Sequence, residues 1–145
     1  MKTPLVLAVA LGALLAGPVS AAEAIPDLKG KWVSEYPAHF HLGTGSAKQT
    51  FIIESQKGEG FRGVREWTRT EFIPAEKDGP VPAKTTEKVA FAGVVGFDGK
   101  TLHFASQGDP THITAELISA EEMQVVFVKP GDPAVAFRAI FKRVK

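Results

Sequence analysis

The feature that most constrains the fold is a series of eight short runs rich in Val, Ile, Phe and Thr, separated by Gly, Pro, Asp and Lys. Such runs are typical of β-strands, and no apolar pattern of helical period persists for three turns. The runs are 31–36, 49–55, 61–73, 87–97, 101–106, 111–118, 123–129 and 134–144. They predict an all-β fold, an eight-stranded antiparallel up-and-down barrel without open sheet edges; a two-sheet sandwich is the alternative.

The turns predict which residues face the core. Asp98-Gly99 is a two-residue hairpin signal, which pairs Phe97 with Lys100 and Val95 with Leu102. A turn at Gln107-Gly108 then places Leu102 opposite Ile113. Since side chains alternate along a strand, one face holds the large residues Val89, Phe91, Val95, Phe97, Leu102, Phe104, Ile113, Ala115 and Leu117.

The last hairpin predicts an outer apolar surface. A four-residue loop at 130–133 pairs Val128 with Val135 and turns Val135, Phe137, Ala139 and Phe141 inward. Met123, Val125 and Phe127 then point outward near Ile140. Because an exposed apolar patch usually marks a partner surface, this register predicts a homo-oligomer, most simply a dimer through the last strands. In the alternative, an inverted register in which the pairing of this hairpin is offset by one residue, Met123, Val125 and Phe127 lie in the core.

The start of the chain has the features of a secretory signal peptide. Lys2 precedes an apolar stretch that is too short to span a bilayer, and small residues follow, with cleavage expected near Ala21 or Ala22. Residues 1–22 are therefore expected to be a signal peptide and 23–145 a single barrel domain; a retained membrane anchor is the alternative. The exported product, periplasmic or secreted, must be stable without disulfides, because the chain contains no Cys. A formal net charge of +1 gives no indication of nucleic-acid binding.

Two short motifs at the ends of this domain carry a family resemblance. Gly30-Lys31-Trp32 opens the first predicted strand, and Phe141-Lys142-Arg143-Val144 ends the last. In a closed barrel these strands are neighbours, so the Arg143 guanidinium can stack on the Trp32 indole and cap one end. The pair resembles the first-strand Trp and last-strand Arg of the calycins, the lipocalin and avidin barrels.

The resemblance extends to the run 58–63, Gly-Glu-Gly-Phe-Arg-Gly, which is similar to the second hairpin of avidin. It implies a calycin-like barrel. Avidins bind biotin through polar side chains that include an Asn on the first strand and a Tyr on the third. Ser34 and Arg65 occupy those positions here, so the resemblance implies the fold and carries over no ligand.

The third predicted strand contains candidate ligand-binding residues. If Phe61 and Trp67 face the lumen, the two-residue period sends Arg65 and Arg69 inward with them. This aromatic and cationic wall suits an acidic, partly apolar small molecule. In the alternative the arginines face solvent, and Val64, Thr68 and Phe72 face the core.

Further candidates lie near the first loop and in the longest connection. Tyr36 and Phe40, with His39 and His41, could form the mouth of the barrel. The polar, Pro-rich segment 74–86 is either a lid over that mouth or a solvated loop.

The sequence gives little indication of a metal site or an enzyme. His39 and His41 lie on one side of an extended segment, and His103 is expected opposite His112, but these pairs do not meet, so we expect no metal and no cofactor. No catalytic motif is present, although Glu54, Glu66 and Glu71 could serve an isomerase or hydratase in a barrel lumen. A small-ligand-binding barrel is the first hypothesis, and an inhibitor of an exported enzyme is the second.

Overall fold

The computed structural model describes residues 24–84, 86–132 and 134–145, and the predicted signal peptide lies outside these ranges. Eight antiparallel strands follow one another around a closed barrel, with no helix in the described residues, which confirms the predicted meander. The strands are β1 (Gly30–Phe40), β2 (Gly43–Lys57), β3 (Gly60–Pro74), β4 (Thr86–Val95), β5 (Thr101–Ser106), β6 (His112–Ser119), β7 (Glu122–Lys129) and β8 (Val135–Val144). Within the described part of the chain, no helical segment has the length and apolarity needed to cross a membrane.

The first two strands are longer than predicted. β1 continues to Phe40, and β2 begins at Gly43, so both extend into the stretch 37–48 that separates the first two predicted strands. A Cβ at Gly43 would collide with the carbonyl oxygen of Ile73, and one at Gly45 with that of Glu71. These glycines therefore allow β3 to approach β2 closely.

The β4–β5 hairpin confirms the pairing of Val95 with Leu102 but not the predicted position of Phe97. The strand pairing ends at Val95, and Gly96 N–H donates to the Thr101 carbonyl across a wider turn. The Asp98 carboxylate accepts the Thr101 N–H at 2.8 Å and fixes this turn. Phe97 consequently lies at the tip, fully exposed, and the prediction that it faces the core is wrong.

The β5–β6 register differs from the predicted one by two residues. Leu102 lies opposite Ala115, and Ile113 lies opposite Phe104. A shift of two residues leaves every side chain on its predicted face, and Leu102, Ile113 and Ala115 are all buried. The shift arises because Thr111 is still in the connection, where its hydroxyl donates to the Asp109 carboxylate at 2.6 Å.

The β7–β8 register overturns the predicted oligomer surface. Lys129 pairs with Val135, and Phe127 with Phe137, so the hairpin connection is one residue longer than expected. A slip of one residue exchanges the two faces of a strand. Met123, Val125 and Phe127 are therefore buried, with 0%, 1% and 3% exposure, while Ile140 remains exposed. The inverted register is correct, so Met123, Val125 and Phe127 lie in the core, and of the four residues predicted for the oligomer surface only Ile140 is on the surface.

The end of the barrel where β1 begins, which we call the base, is filled by aromatic side chains. Stacked and edge-to-face contacts with ring centroids 4.7–6.4 Å apart link five phenylalanines: Phe51, Phe61, Phe91, Phe104 and Phe141. Beneath them Trp32 is fully buried and donates its indole N–H to the Leu28 carbonyl at 3.0 Å.

Closure of the barrel places Arg143 directly opposite Trp32 on the neighbouring strand. The guanidinium carbon lies 5.3 Å from the centre of the indole ring, the contact predicted from sequence. Arg143 also donates to the carbonyls of Lys29 and Ala120 and so ties the N-terminal segment and the β6–β7 turn to the base.

Candidate ligand-binding site

The opposite end of the barrel, the mouth, contains a cavity of about 310 Å³. Its wall is mostly apolar and includes four charged side chains. The lining residues are Phe40, Leu42, Arg65, Trp67, Arg69, Phe72, Pro82, Ala83, Glu87, Phe127, Lys129 and Val135. A volume of this size lies at the lower end of the range for small-molecule sites, about 300–1,000 Å³.

β3 supplies most of the polar wall. Arg65, Trp67 and Arg69 alternate along the strand and all line the cavity, as the inward interpretation of this strand predicts. Arg65 and Arg69 are 1% and 8% exposed, and Trp67 is half-buried against Phe40, with ring centroids 6.4 Å apart.

A β-bulge brings Phe72 into the same wall. Ala47 on β2 pairs with Arg69, but the preceding residue, Ser46, pairs with Glu71, so Thr70 is an extra residue on β3. In a regular strand Arg69 and Phe72 would face opposite sides; the bulge turns both inward. The Arg69 guanidinium carbon then lies 5.0 Å from the centre of the Phe72 ring. The sequence predicted that either Arg69 or Phe72 would face inward. Because of the bulge, both do.

Arg65 is neutralised by Asp109, from the connection between β5 and β6. An Arg65 terminal nitrogen lies 2.7 Å from an Asp109 carboxylate oxygen, and Arg65 Nε donates to Ser106 Oγ at 3.2 Å. Burial raises the pKa of Asp109, but the hydrogen bond from Thr111 and the charges of Lys129 and Arg65 outweigh it and hold that pKa below its usual range. Arg65 is thus a paired charge that anchors this connection to the cavity wall.

Arg69 has no such partner. Among the described residues no carboxylate lies within 4.0 Å of its guanidinium. Its guanidinium donates to the carbonyl of Pro82 and stacks on Phe72. A guanidinium has five N–H donors, so donors remain for another acceptor in the cavity. A buried cation without a counterion is costly unless a ligand supplies the negative charge.

The two other charged groups of the wall are linked to each other. Lys129 Nζ lies 3.5 Å from Asp109 and 4.0 Å from Glu87. Glu87 lies directly opposite Trp67 in the β3–β4 pairing, which places it diagonally across from both Arg65 and Arg69. Three cations and one carboxylate therefore line the cavity. Asp109, which pairs with Arg65 and Lys129, supplies the second negative charge, so one positive charge is left over.

The β3–β4 connection covers one side of the cavity. Pro82 and Ala83 contribute to its wall, and Arg69 holds this segment in place through the Pro82 carbonyl. Most of the other described residues of the Pro-rich segment are exposed, so the segment combines a short contact with the cavity and a solvated loop.

A buried polar pair lies deeper in the barrel. Tyr36 is stacked on Phe137, with centroids 3.8 Å apart, and its hydroxyl donates to Gln49 Oε1 at 2.9 Å. Burial raises the pKa of the Tyr36 hydroxyl, which therefore stays protonated, although contacts with Trp67 and Arg65 act in the opposite direction. Within the described structure Gln49 Nε2 has no hydrogen-bond partner. Both residues lie outside the cavity wall.

The remaining predicted candidates lie elsewhere. Phe61 belongs to the aromatic base, while Tyr36 lies below the cavity. His41 Nε2 lies 3.3 Å from Asp132 at the exposed rim, and His39 is also exposed. His103 pairs with Thr114, not with His112, so the predicted histidine pair is wrong. Within the described ranges no group of three or more His, Asp or Glu side chains could hold a metal ion.

The carboxylates considered for catalysis are also outside the cavity wall. Glu54 and Glu71 are exposed, and Glu66 pairs with Lys88 at 3.2 Å with both side chains substantially solvated. The acidic residue that does line the cavity, Glu87, is missed by the sequence analysis. Strand alternation could have identified it, because it shares a face with Phe91.

No protein-family model and no curated protein matches this chain. The resemblance to calycins therefore stays a prediction from the short motifs, and any functional argument must depend on the cavity itself.

Proposed function

We propose that this protein binds a small, acidic, partly apolar molecule in the mouth cavity. The single observation that carries the proposal is Arg69, a guanidinium that is 8% exposed, lines the cavity and has no carboxylate partner among the described residues. An anionic group of a ligand would supply the missing countercharge through charge-assisted hydrogen bonds.

The rest of the wall suits the apolar part of such a molecule. Phe40, Trp67 and Phe72 contribute aromatic surface, and Phe127 and Val135 extend it toward β7 and β8. Ligand pockets typically combine a mainly apolar lining with a few polar groups that fix orientation. This combination supports a binding barrel over the inhibitor hypothesis, which does not require an open lumen.

Native mass spectrometry of the mature protein, with and without added 1-naphthoate, tests the proposal. We expect the wild type to retain an endogenous ligand or to take up naphthoate, and Arg69→Gln to do neither. Arg138→Gln removes the same charge from the exposed face of β8 and should behave like the wild type. Equal uptake by Arg69→Gln, or no uptake by any form, would contradict the proposal.

We also propose that the protein acts after export, because residues 1–22 have the features of a signal peptide. The intact mass of the protein purified from its own host tests this: cleavage near Ala21 or Ala22 is expected. A mass that includes the whole leader would count against it.

A further inference from the structure

We infer that the cavity selects ligands with a single negative charge over ligands with two, and that Glu87 enforces this limit. The inference rests on the proposed function and names the ligand class of the same site: a compact apolar body with one anionic group, such as a carboxylate or a sulfonate.

The charged groups at the cavity carry one excess positive charge. Asp109 is shared by Arg65 at 2.7 Å and Lys129 at 3.5 Å, and Glu87 lies 4.0 Å from Lys129. These four groups contain two positive and two negative charges, which leaves Arg69 as the excess cation. A monoanion would make the occupied cavity neutral, whereas a dianion would leave it with a net negative charge.

A dianion also costs more free energy than a monoanion to remove from water. The cost of moving an ion from water into a less polar site rises with the square of its charge, while its attraction to one cation rises only in proportion. The wall is mostly apolar, so water released from a dianion would not be replaced by protein donors. One N–H group of Arg69 already donates to the Pro82 carbonyl, so fewer N–H donors remain for the ligand.

Glu87 places a negative charge on the same cavity wall as Arg69. It faces the cavity opposite Trp67, and Arg69 lies two residues further along β3, so Glu87 and Arg69 are diagonal neighbours. Diagonal neighbours across strands have Cα atoms about 7–8 Å apart, and both side chains line the cavity, so an anion bound to Arg69 shares the cavity with the Glu87 carboxylate. The Glu87 carboxylate is 42% exposed and is partly screened by water, so its repulsion of a second ligand charge should weaken binding by about threefold.

The test compares three probes that share one ring: 1-naphthoate, naphthalene-1-sulfonate and 1-naphthyl phosphate. Sulfonate and phosphate are both tetrahedral, so their difference reports charge rather than shape, and near pH 7.5 the phosphate is mostly a dianion because its second pKa is about 6. Isothermal titration calorimetry on the wild type should show the phosphate binding at least about tenfold more weakly than the sulfonate.

A variant pair tests the role of Glu87. Glu87→Gln should reduce the gap between sulfonate and phosphate to about threefold or less, because the nearest like charge is gone. Glu66→Gln removes a carboxylate paired with Lys88 and should leave the gap unchanged.

The outcomes separate the two proposals. Phosphate binding that matches or exceeds sulfonate binding in the wild type would overturn this inference and leave the proposed function standing. An unchanged gap in Glu87→Gln would overturn the assignment to Glu87. Failure of all three probes to bind would contradict the proposed function and this inference with it.

Discussion

The base and the mouth of this barrel are built from the same eight strands but filled in opposite ways. At the base, five phenylalanines pack against one another, Trp32 is fully buried, and Arg143 stacks on the Trp32 ring. At the mouth, two arginines occupy the interior beside a cavity of about 310 Å³. The base therefore stabilises the fold, and the mouth is available for binding.

The largest effect is expected for Trp32→Ala. Removing a fully buried large aromatic side chain should lower the free energy of unfolding by about 3–5 kcal/mol, measured by chemical denaturation. Trp67→Ala, in the half-buried wall of the cavity, should cost clearly less stability and abolish naphthoate binding. Similar losses of stability from the two substitutions would break the division between base and mouth.

The next effect concerns the charged pair at the mouth. Asp109→Ala leaves the buried Arg65 without its counterion and should destabilise the protein by about 3 kcal/mol. Glu66→Gln, which breaks the solvated pair with Lys88, should cost about 0–1 kcal/mol. A small effect of Asp109→Ala would mean that Arg65 is not held as a buried ion pair.

The same pair predicts a pH dependence. Because the pKa of Asp109 is lowered in the folded protein, its contribution is complete above the ordinary value of about 3.9 and is lost as the pH falls through the lower folded value. The difference in stability between wild type and Asp109→Asn should therefore shrink below about pH 4. The pKa of Asp98 is lowered to about 2 by hydrogen bonds from Thr101 and Lys100. Asp98 is present in both proteins, so its contribution cancels in the difference in stability. A difference independent of pH from 6 to 2 would contradict the assignment.

A smaller loss is expected at Gly93, which tests the tight packing of the base. A Cβ at this position would collide with the Phe61 ring, so Gly93→Ala should destabilise by about 1–3 kcal/mol. Gly60→Ala, on the adjacent strand, meets only the Lys57 carbonyl at 3.7 Å and should have little effect. Equal stability of the two variants would show that the Phe61 ring can shift to accommodate the added methyl group.

The smallest stability change is expected for Arg69→Gln. The substitution removes the cost of burying an unpaired charge, but it also removes the contacts of Arg69 with the Pro82 carbonyl and the Phe72 ring. These effects oppose each other, so the free energy of unfolding should change by less than about 1 kcal/mol. Urea denaturation of the ligand-free protein provides the measurement. A loss comparable with that of Asp109→Ala would show that Arg69 is part of the structural framework of the mouth.

Sequence predicted the barrel well because the information lies in local patterns. Runs of β-branched and aromatic residues define the strands, and the alternation on β4, β5 and β6 places Phe91, Leu102 and Ile113 inside. Residues were assigned to the wrong face where the inward-facing set of a strand depends on the length of the preceding loop. The connection between β7 and β8 is one residue longer than predicted, so Phe127 faces the core and not the outside. Neither Pro130 nor Gly131 specifies the length of this connection.

The site was only partly predictable for a related reason. The alternation on β3 brought Arg65, Trp67 and Arg69 together, but the bulge at Thr70 that adds Phe72 has no sequence signature. The Asp109 partner of Arg65 is 44 residues away, in a connection whose position depends on the closed barrel. Contacts of this kind follow from topology and cannot be inferred from neighbouring residues.

The two tryptophans of the chain allow the most direct measurement of the central claim, because Trp32 lies at the base and Trp67 in the cavity wall. In a ¹H–¹⁵N correlation spectrum each indole N–H gives its own signal, and substitution of each residue assigns it. Titration with 1-naphthoate should shift the Trp67 signal and leave that of Trp32 in place. A shift of Trp32 alone, or no shift of Trp67 at saturating naphthoate, would contradict a filled base and a ligand-binding mouth.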